Sequence, residues 1–335
     1  MKLNINLTHT DYDILIEPGC LNNVSRYVNL QRNIFIITDN GVPKAYLDTL
    51  LSQCENAYYH IVEKGEGAKS FEVYETLLKK LLELNFTRKD LIIALGGGVI
   101  GDLAGFVAST YMRGIDFISI PTTSLSQIDS SIGGKVAINV DKVKNIVGAF
   151  YHPKMVFIDT DCLKSLPQRH LMAGLVEAVK AGLIYDKKLF ELFEEDDYLN
   201  HLEEIIIRAL QVKKEVVQID EKEQNLRKIL NFGHTLGHAI ETFYNLSELY
   251  HGECVALGTL AMLEDDHLKD RVIKVYQKMG LKTSVEFDKE QIYQLMLKDK
   301  KATKNNITIV TVKHCGKAEL KDIEFDELKE YINKI

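Results

Sequence analysis

The chain has 335 residues, which is more than one hydrophobic core usually serves, so we expect two domains. Hydrophobic residues make up 46% and charged residues 27% of the sequence, which is typical of a globular protein in water. The net charge of −7 argues against a nucleic-acid-binding surface but is compatible with a local basic pocket for a small anion. No run approaches the roughly 20 apolar residues of a membrane span, so we expect no membrane partner and a cytoplasmic protein.

The first half of the chain alternates short β-rich runs with amphipathic segments. The run LIIAL is continuously apolar, which is typical of a strand covered on both faces. This alternation predicts a Rossmann-like parallel α/β domain over residues 1–165. The predicted strands cover 13–16, 33–38, 58–62, 91–95, 117–121 and 155–159, and the predicted helices cover 43–53 and 71–85.

A glycine-rich turn, GGGVIGDLAGFVAS, follows the apolar strand. Gly96, Gly98 and Gly101 have G-x-G-x-x-G spacing between a strand and a helix, where glycines let backbone amides approach a pyrophosphate. No acidic residue lies about twenty positions later at the end of a following strand, where this fingerprint would place one. Asp39, at the end of an earlier strand, is the candidate for contact with an adenosine ribose. The alternative is a turn that only packs the helix tightly on the strand.

Polar and cationic residues follow the strand at 117–121. Paired glycines expose backbone amides and lysine is a point charge for phosphate, so the region suits a phosphate cradle. Lysines spaced in this way also occur on ordinary solvated surfaces, which is the alternative. The residues concerned are Thr122, Thr123, Asp129, Gly133, Gly134, Lys135, Lys144 and Asn145.

From residue 166 onward the pattern predicts an all-α domain, with one short strand or extended segment at 308–312. Glu177 and Lys180 stand one turn apart in the apolar segment MAGLVEAVKAGLIYD. A carboxylate is costly there unless it is paired or bound to a metal, and a surface ion pair is the alternative.

Charged residues also approach the next segment. A helix predicted over 202–220 contributes Lys213. The stretch DEKEQNLRKILNFGH then brings Glu223 and Arg227, at i and i+4, toward a group of histidines.

Three of the ten histidines lie within residues 231–258. His234 and His238 share one face of a predicted helix, and His251 begins a second apolar run in which Gly252 is expected to separate the helices. Two helices that converge in this way would suit a divalent metal such as zinc, which takes about three protein ligands when catalytic. The alternative is a set of ordinary polar residues near a helix crossing.

The strings GGGVIGDLAGFVASTYMRGIDFISIPTTSLSQIDSSIGGKVAIN, GLVEAVKAG, NFGHTLGHAIE and HGECVALG occur in this order. Together they resemble the 3-dehydroquinate synthase family of sugar phosphate cyclases, over nearly the whole chain. The resemblance implies an NAD-binding α/β domain at 1–165, an α-helical metal- and substrate-binding domain at 166–335, and a homodimer. It also implies a shikimate-pathway reaction that converts the anionic sugar phosphate 3-deoxy-D-arabino-heptulosonate 7-phosphate to 3-dehydroquinate and phosphate. The implied steps are transient oxidation by NAD, phosphate elimination, re-reduction, ring opening and aldol closure.

The resemblance also implies roles for individual residues. Zinc or cobalt would bind Glu177, His234 and His251, so His238 would face the substrate instead of the metal. The substrate phosphate would contact Lys135, Asn145, His238, one of Lys300 or Lys301, and Arg113 of a partner subunit. The substrate carboxylate would contact Lys213, Arg227 and Asn231, and its hydroxyls would contact Asp129 and Lys180. NAD would contact Asp39, Glu66, Lys69, Gly97, Gly98, Val99, Ile100, Gly101, Asp102, Thr122, Thr123, Lys135, Lys144, Cys162, Leu163, Lys164 and Ser165.

Two other classes of protein remain as alternatives. A metal- and NAD-dependent alcohol or glycerol dehydrogenase shares the glycine turn and metal-binding histidines, but it would release NADH and would not need the phosphate-binding lysines. A non-catalytic nucleotide-binding protein on the same scaffold would be expected to have lost a ligand or a cation, and the sequence keeps all of them.

Overall fold

The computed structural model describes residues 1–8, 10–141, 143–244, 248–297, 302–303 and 306–335. The chain divides into two compact units, Met1–Pro167 and Gln168–Ile335. This division lies close to the one after residue 165 that the sequence predicts.

The first unit is built on a seven-stranded sheet with the order β1-β2-β9-β6-β5-β3-β4. Strand β1 is antiparallel to β2, and all the other neighbours are parallel. Strands β7 and β8 form a separate antiparallel hairpin, which the sequence analysis did not predict. The strands are β1 (Lys2–Asn6), β2 (Asp11–Ile16), β3 (Asn33–Asp39), β4 (Asn56–Val62), β5 (Leu91–Gly96), β6 (Asp116–Pro121), β7 (Lys135–Val140), β8 (Val143–Phe150) and β9 (Met155–Ile158).

Both faces of the sheet are covered, which explains the continuous apolar run in β5. Ile92 and Ala94 belong to one core cluster, whereas Leu91, Ile93 and Leu95 belong to the other, because successive side chains of a strand point to opposite faces. Helices α2 and α3 cover the first face and α1 covers the second. The helices are α1 (Lys44–Leu51), α2 (Phe71–Glu83) and α3 (Gly98–Thr110).

The second unit is predominantly helical, so the predicted class, a parallel α/β domain followed by a helical domain, is confirmed. It also contains a three-stranded antiparallel sheet, of which the sequence predicted only the part at 308–312. Among the described residues, no helix has both the length and the apolar character needed to cross a membrane. The elements are α4 (Gln168–Ile184), α5 (Lys187–Glu194), α6 (Leu202–Ile219), α7 (His234–Phe243), α8 (His251–Met262), α9 (Asp266–Lys278), α10 (Lys289–Leu297), β10 (Ala302–Thr303), β11 (Asn306–His314), β12 (Lys317–Glu324) and α11 (Leu328–Ile332).

Gly252 does not separate two helices, so that prediction was wrong. It lies in the first turn of α8, which begins at His251. A Cβ atom on Gly252 would overlap the carbonyl oxygen of Ala173 in α4, and one on Gly258 would overlap the carbonyl oxygen of Gly233 before α7. The glycines therefore allow α8 to approach both neighbouring helices closely.

Candidate active site

In the first unit, several of the expected nucleotide-binding residues lie at or just after the carboxyl ends of the parallel strands. Strands β3, β5 and β6 are parallel neighbours and end at Asp39, Gly96 and Pro121. The next strand after β3 is its outer neighbour β4, whereas the next strand after β5 is β6 on the opposite side. In an open α/β sheet, ligands usually bind in the crevice between two neighbouring strands whose chain connections lead to opposite sides. Asp39 and the glycine turn flank this crevice.

The glycine turn leaves space in front of α3. Gly97 caps the helix, and a Cβ on Gly98 would lie 2.9 Å from Ser130 Oγ, so a larger residue would crowd the turn. A Cβ on Gly101 would meet no atom within 4 Å. The amide groups of the first helical turn attract anions. Ile100 is fully buried in the core, so any ligand contact there involves its main chain, and the same turn carries Val99 and Asp102.

A polar network connects the start of α3 with the β7–β8 hairpin. Lys69, which is buried, donates to Asp102 Oδ2 over 2.6 Å and also to Asn145 Oδ1. Asn139 joins the two ends, because its Oδ1 accepts from the Asn145 amide at 2.9 Å and its Nδ2 donates to Glu66 Oε2 at 2.8 Å. Four residues proposed from the resemblance are therefore brought together, and Asn139 is the member that the sequence analysis missed.

The segment 162–165, which follows β9, has a buried thiol at Cys162 and an exposed hydroxyl at Ser165. Burial raises the pKa of Cys162 to about 12 and keeps it protonated near neutral pH. Leu163 is also buried, and Lys164 pairs with Asp161 at the surface. The Ser165 hydroxyl lies 2.8 Å from that of Tyr46.

The remaining candidates of the first unit have diverse settings. Thr122 donates its amide to the Gly96 carbonyl at 3.0 Å, and Thr123 bonds to Ser126. Asp129 lies in a π-helical turn at Ser126–Ser130. Lys135 begins β7 and is exposed, Lys144 in β8 is half-buried, and Arg113 is exposed with a left-handed φ of 66°. Lys300 and Lys301 lie outside the described residues.

In the second unit, a buried carboxylate meets two histidines from different helices. Glu177 on α4 is 2% exposed, and its Oε1 accepts no hydrogen bond from any described residue. The Nε2 atoms of His234 and His251 lie 3.7 Å and 3.9 Å from Oε1. Lys180, also buried, pairs with Oε2 of Glu177. Glu177–Lys180 is therefore a buried ion pair and not a surface pair.

The other ring nitrogen of each histidine, Nδ1, lies within hydrogen-bonding distance of an oxygen atom. Nδ1 of His234 lies 3.2 Å from the Phe232 carbonyl, and Nδ1 of His251 lies 3.1 Å from Glu241 Oε2. Burial alone would lower the pKa of His251, but the hydrogen bond to Glu241 and the charges of Glu241 and Glu177 raise it above its ordinary value. With a proton on each Nδ1, each Nε2 would carry a lone pair within 3.9 Å of Glu177 Oε1, and metal-binding histidines use the same tautomer.

His238 is exposed and close to the other two histidines. Its ring centroid lies 5.2 Å from that of His234 and 5.6 Å from that of His251. One nitrogen from each of the three rings lies within 4.8 Å of the others, so distance alone allows all three to share an ion. The buried Oε1 of Glu177 lies within 3.9 Å of Nε2 of both His234 and His251, and an ionised carboxylate is costly in the interior without a partner.

Of the expected carboxylate-binding residues, Lys213 lies on α6, and Arg227 and Asn231 lie in the segment between α6 and α7. Lys213 and Arg227 are buried, and Asn231 donates to Glu223 Oε1 at 2.6 Å. Glu223 and Arg227 are four residues apart but do not lie on one helix, so the predicted helical i, i+4 relation between them was wrong. Glu223 has a left-handed φ of 59°, and Asp220 interrupts the helix by accepting backbone amides, including that of Arg227 at 3.0 Å.

A cavity of about 170 Å³ adjoins Asn231. Its polar wall contains Glu223, Lys228 and Thr235, and its other wall contains Thr308, Val310 and Leu320 of the small sheet. Within the described residues, Glu195, Asp197 and His201 form a second group of possible metal ligands. That group is largely at the surface, with the Lys278 ammonium bonded to the Glu195 carbonyl, so we do not assign it a function.

Fold and site together define a class of proteins in which an α/β domain with a glycine turn precedes a helical domain with a histidine and carboxylate cluster. Family models described as "3-dehydroquinate synthase N-terminal" and "3-dehydroquinate synthase C-terminal" match residues 59–173 and 174–302. A 3-dehydroquinate synthase of Thermoanaerobacter pseudethanolicus is 43% identical over 316 residues, 88% of each chain. The chain belongs to the 3-dehydroquinate synthase family. The predicted activity and enzyme class, a phosphate-eliminating carbon–oxygen lyase, are confirmed by these matches.

Two solved structures are similar over nearly the whole chain. A 2-deoxy-scyllo-inosose synthase complexed with carbaglucose-6-phosphate, NAD+ and Co2+ has a TM-score of 0.89 at 26% identity and covers 99% of both chains. A 2-epi-5-epi-valiolone synthase from Streptomyces hygroscopicus subsp. jinggangensis, with NAD+ and Zn2+ bound, has a TM-score of 0.88 at 25% identity and covers 98% of this chain and 97% of its own.

Proposed function

We propose that the chain uses NAD and one divalent metal to convert 3-deoxy-D-arabino-heptulosonate 7-phosphate to 3-dehydroquinate and phosphate. The observation that carries the proposal is a buried carboxylate oxygen, Oε1 of Glu177, with the Nε2 atoms of His234 and His251 at 3.7 Å and 3.9 Å from it. The NAD and metal in the two similar synthase structures support the same cofactors here.

The second unit suits a zinc or cobalt ion held by Glu177, His234 and His251. Their donor set of two imidazoles and one carboxylate is typical of a catalytic zinc site, which keeps a position open for substrate. The unsatisfied Oε1 of Glu177 supports this choice over a set that includes His238. A bound metal would act as a Lewis acid toward a substrate hydroxyl, while NAD would accept one hydride and later return it.

The first unit suits NAD at the crevice between β3 and β5. The amides at the start of α3 would hold its pyrophosphate, and Asp39 would accept a ribose hydroxyl. Lys69 would keep Asp102 and Asn145 in fixed positions through its two hydrogen bonds. NAD would also contact Thr122, Thr123, Lys135, Lys144 and the segment 162–165.

The charged residues named in the sequence analysis suit an anionic substrate. Lys213, Arg227 and Asn231 of the second unit would hold the carboxylate, and Lys180 would bind a hydroxyl. Lys135 and Asn145 would bind the phosphate, together with His238 and one of Lys300 or Lys301. In addition, Asp129 would bind a hydroxyl. These cations offset the charge of a phosphate and a carboxylate, whereas a glycerol dehydrogenase would have no use for them.

We further propose a homodimer in which Arg113 of each subunit contacts the partner's substrate phosphate. The exposed position of Arg113 is compatible with this role. A fully active monomer in sedimentation and activity measurements would exclude it. A cytoplasmic location remains a prediction from the sequence.

The test incubates zinc-loaded protein with the heptulosonate phosphate and a trace of NAD, and follows phosphate and NADH together. We expect stoichiometric phosphate with no net NADH, and loss of this activity in His251→Ala but not in His267→Ala, which changes an exposed histidine of α9. Net NADH formed from polyols without phosphate release would instead identify a dehydrogenase. No activity in either assay would favour a non-catalytic protein.

A further inference from the structure

Glu241 is a buried acidic residue to which the sequence analysis gave no role. It lies on α7 at positions i+7 from His234 and i+3 from His238, so all three side chains occupy one face of that helix. Glu241 is 8% exposed, and an ionised carboxylate at such a site requires a partner. The observed partner is Nδ1 of His251, at 3.1 Å from Glu241 Oε2.

We propose that Glu241 is a positioning residue that directs Nε2 of His251 toward the metal and makes His251 a stronger ligand. This inference rests on the metal centre proposed above. When Glu241 accepts the Nδ1 proton, the Nε2 lone pair stays available and the ring is held in one orientation. Nε2 of His251 already faces Glu177 Oε1 at 3.9 Å.

The two histidines are oriented by unlike acceptors. Nδ1 of His234 meets the neutral carbonyl of Phe232, whereas Nδ1 of His251 meets an acidic side chain. A charged acceptor polarises the imidazole more strongly than a neutral one does. His251 is therefore the ligand whose metal affinity depends on a replaceable side chain.

A purely structural role for Glu241 makes a different prediction. His251 is the first residue of α8, and a carboxylate near a helix N-terminus stabilises the helix by itself. In that case, replacing Glu241 would lower thermal stability without changing the metal's affinity or its coordination. Metal affinity and the spectrum of bound cobalt separate the two roles.

The experiment compares Glu241→Gln and Glu241→Ala with the wild type and with Glu264→Gln. Glu264 is a matched control, because it is a partly buried carboxylate of the same unit that pairs with Lys321 at 2.7 Å. Zinc affinity is measured by chelator competition, and coordination is measured from the visible absorption of the cobalt-loaded proteins. Thermal melting of the metal-free proteins monitors the fold.

We expect zinc affinity to fall by about 10- to 100-fold in Glu241→Ala, the usual effect of losing such a partner. Glu241→Gln, which keeps an acceptor but not the charge, should show a smaller loss. The cobalt absorption should shift in both, and Glu264→Gln should match the wild type. Unchanged affinity and absorption in Glu241→Ala, with zinc still lost in His251→Ala, would overturn the role of Glu241 alone. Wild-type affinity in His251→Ala would instead refute the proposed metal centre.

Discussion

Replacing Glu177 by glutamine keeps the shape of the side chain but removes the charge beside Lys180. The two side chains are 2% and 4% exposed, so water does not replace the lost partner. Removing one member of a buried ion pair typically costs roughly 3–5 kcal/mol, because the other charge stays buried and uncompensated. We expect a loss of this size in the unfolding free energy of the metal-free second unit.

Denaturant unfolding of chelator-treated protein measures this loss, with Lys180→Met and the double variant completing the cycle. The double variant should cost less than the sum of the single ones, by a coupling energy of roughly 0.5–3 kcal/mol. Zinc binding separates the roles of the two residues. Glu177→Gln should bind zinc weakly, whereas Lys180→Met should retain zinc, because it removes a competing cation but no metal ligand.

Two results would refute this reasoning. Additive costs in the cycle would mean that Glu177 and Lys180 do not interact as a buried pair. Wild-type zinc affinity in Glu177→Gln would mean that the carboxylate does not bind the metal.

Three further predictions concern the close approaches and the polar network. Gly101→Ala should leave the unfolding free energy unchanged or raise it by up to about 1 kcal/mol, because a helix favours alanine. The same variant should weaken NAD binding, measured by fluorescence titration, because the added methyl group fills open space beside the first turn of α3. Gly252→Ala should lower stability by roughly 1–3 kcal/mol or more and weaken zinc binding, because its Cβ overlaps main chain of α4. Lys69→Met should cost roughly 1.5–3 kcal/mol and weaken NAD binding, because Asp102 loses its charged donor at 2.6 Å.

The controls for these predictions come from the same chain. Lys79→Met breaks an exposed pair with Glu75 and should change stability by no more than about 0.5 kcal/mol. The two glycine variants control each other, since Gly101→Ala should spare zinc binding and Gly252→Ala should spare NAD binding. Gly101→Ala with wild-type NAD affinity would contradict the cofactor site at α3.

Local patterns were sufficient to predict the main elements around the site. The apolar run before Gly96 predicted the central strand because both faces of that strand are buried, and the leucine spacing after Ser70 predicted α2. The strand at 33–38 was predicted as well, and just after it the Asp39 carboxylate accepts the Gly41 amide at 2.8 Å.

Features that depend on tertiary contacts were not predictable in this way. Glycine is common at the ends of helices, and the close approach of α4 explains why Gly252 lies inside α8 instead. Asn139 lies one residue before the end of β7, and its role depends on Asn145 in the next strand and on Glu66, which is distant in sequence. Glu241 could have been found from its i+7 spacing to His234, but its burial and its contact with His251 required the structure.

The measurement that tests the central claim most directly is the metal content and phosphate release of four alanine variants, at Glu177, His234, His251 and His238. We expect the first three variants to lose the single bound metal, whereas His238→Ala should keep one equivalent and lose most of its turnover. Loss of metal in His238→Ala, with metal retained in Glu177→Ala, would contradict the assignment and identify the three histidines as the metal site.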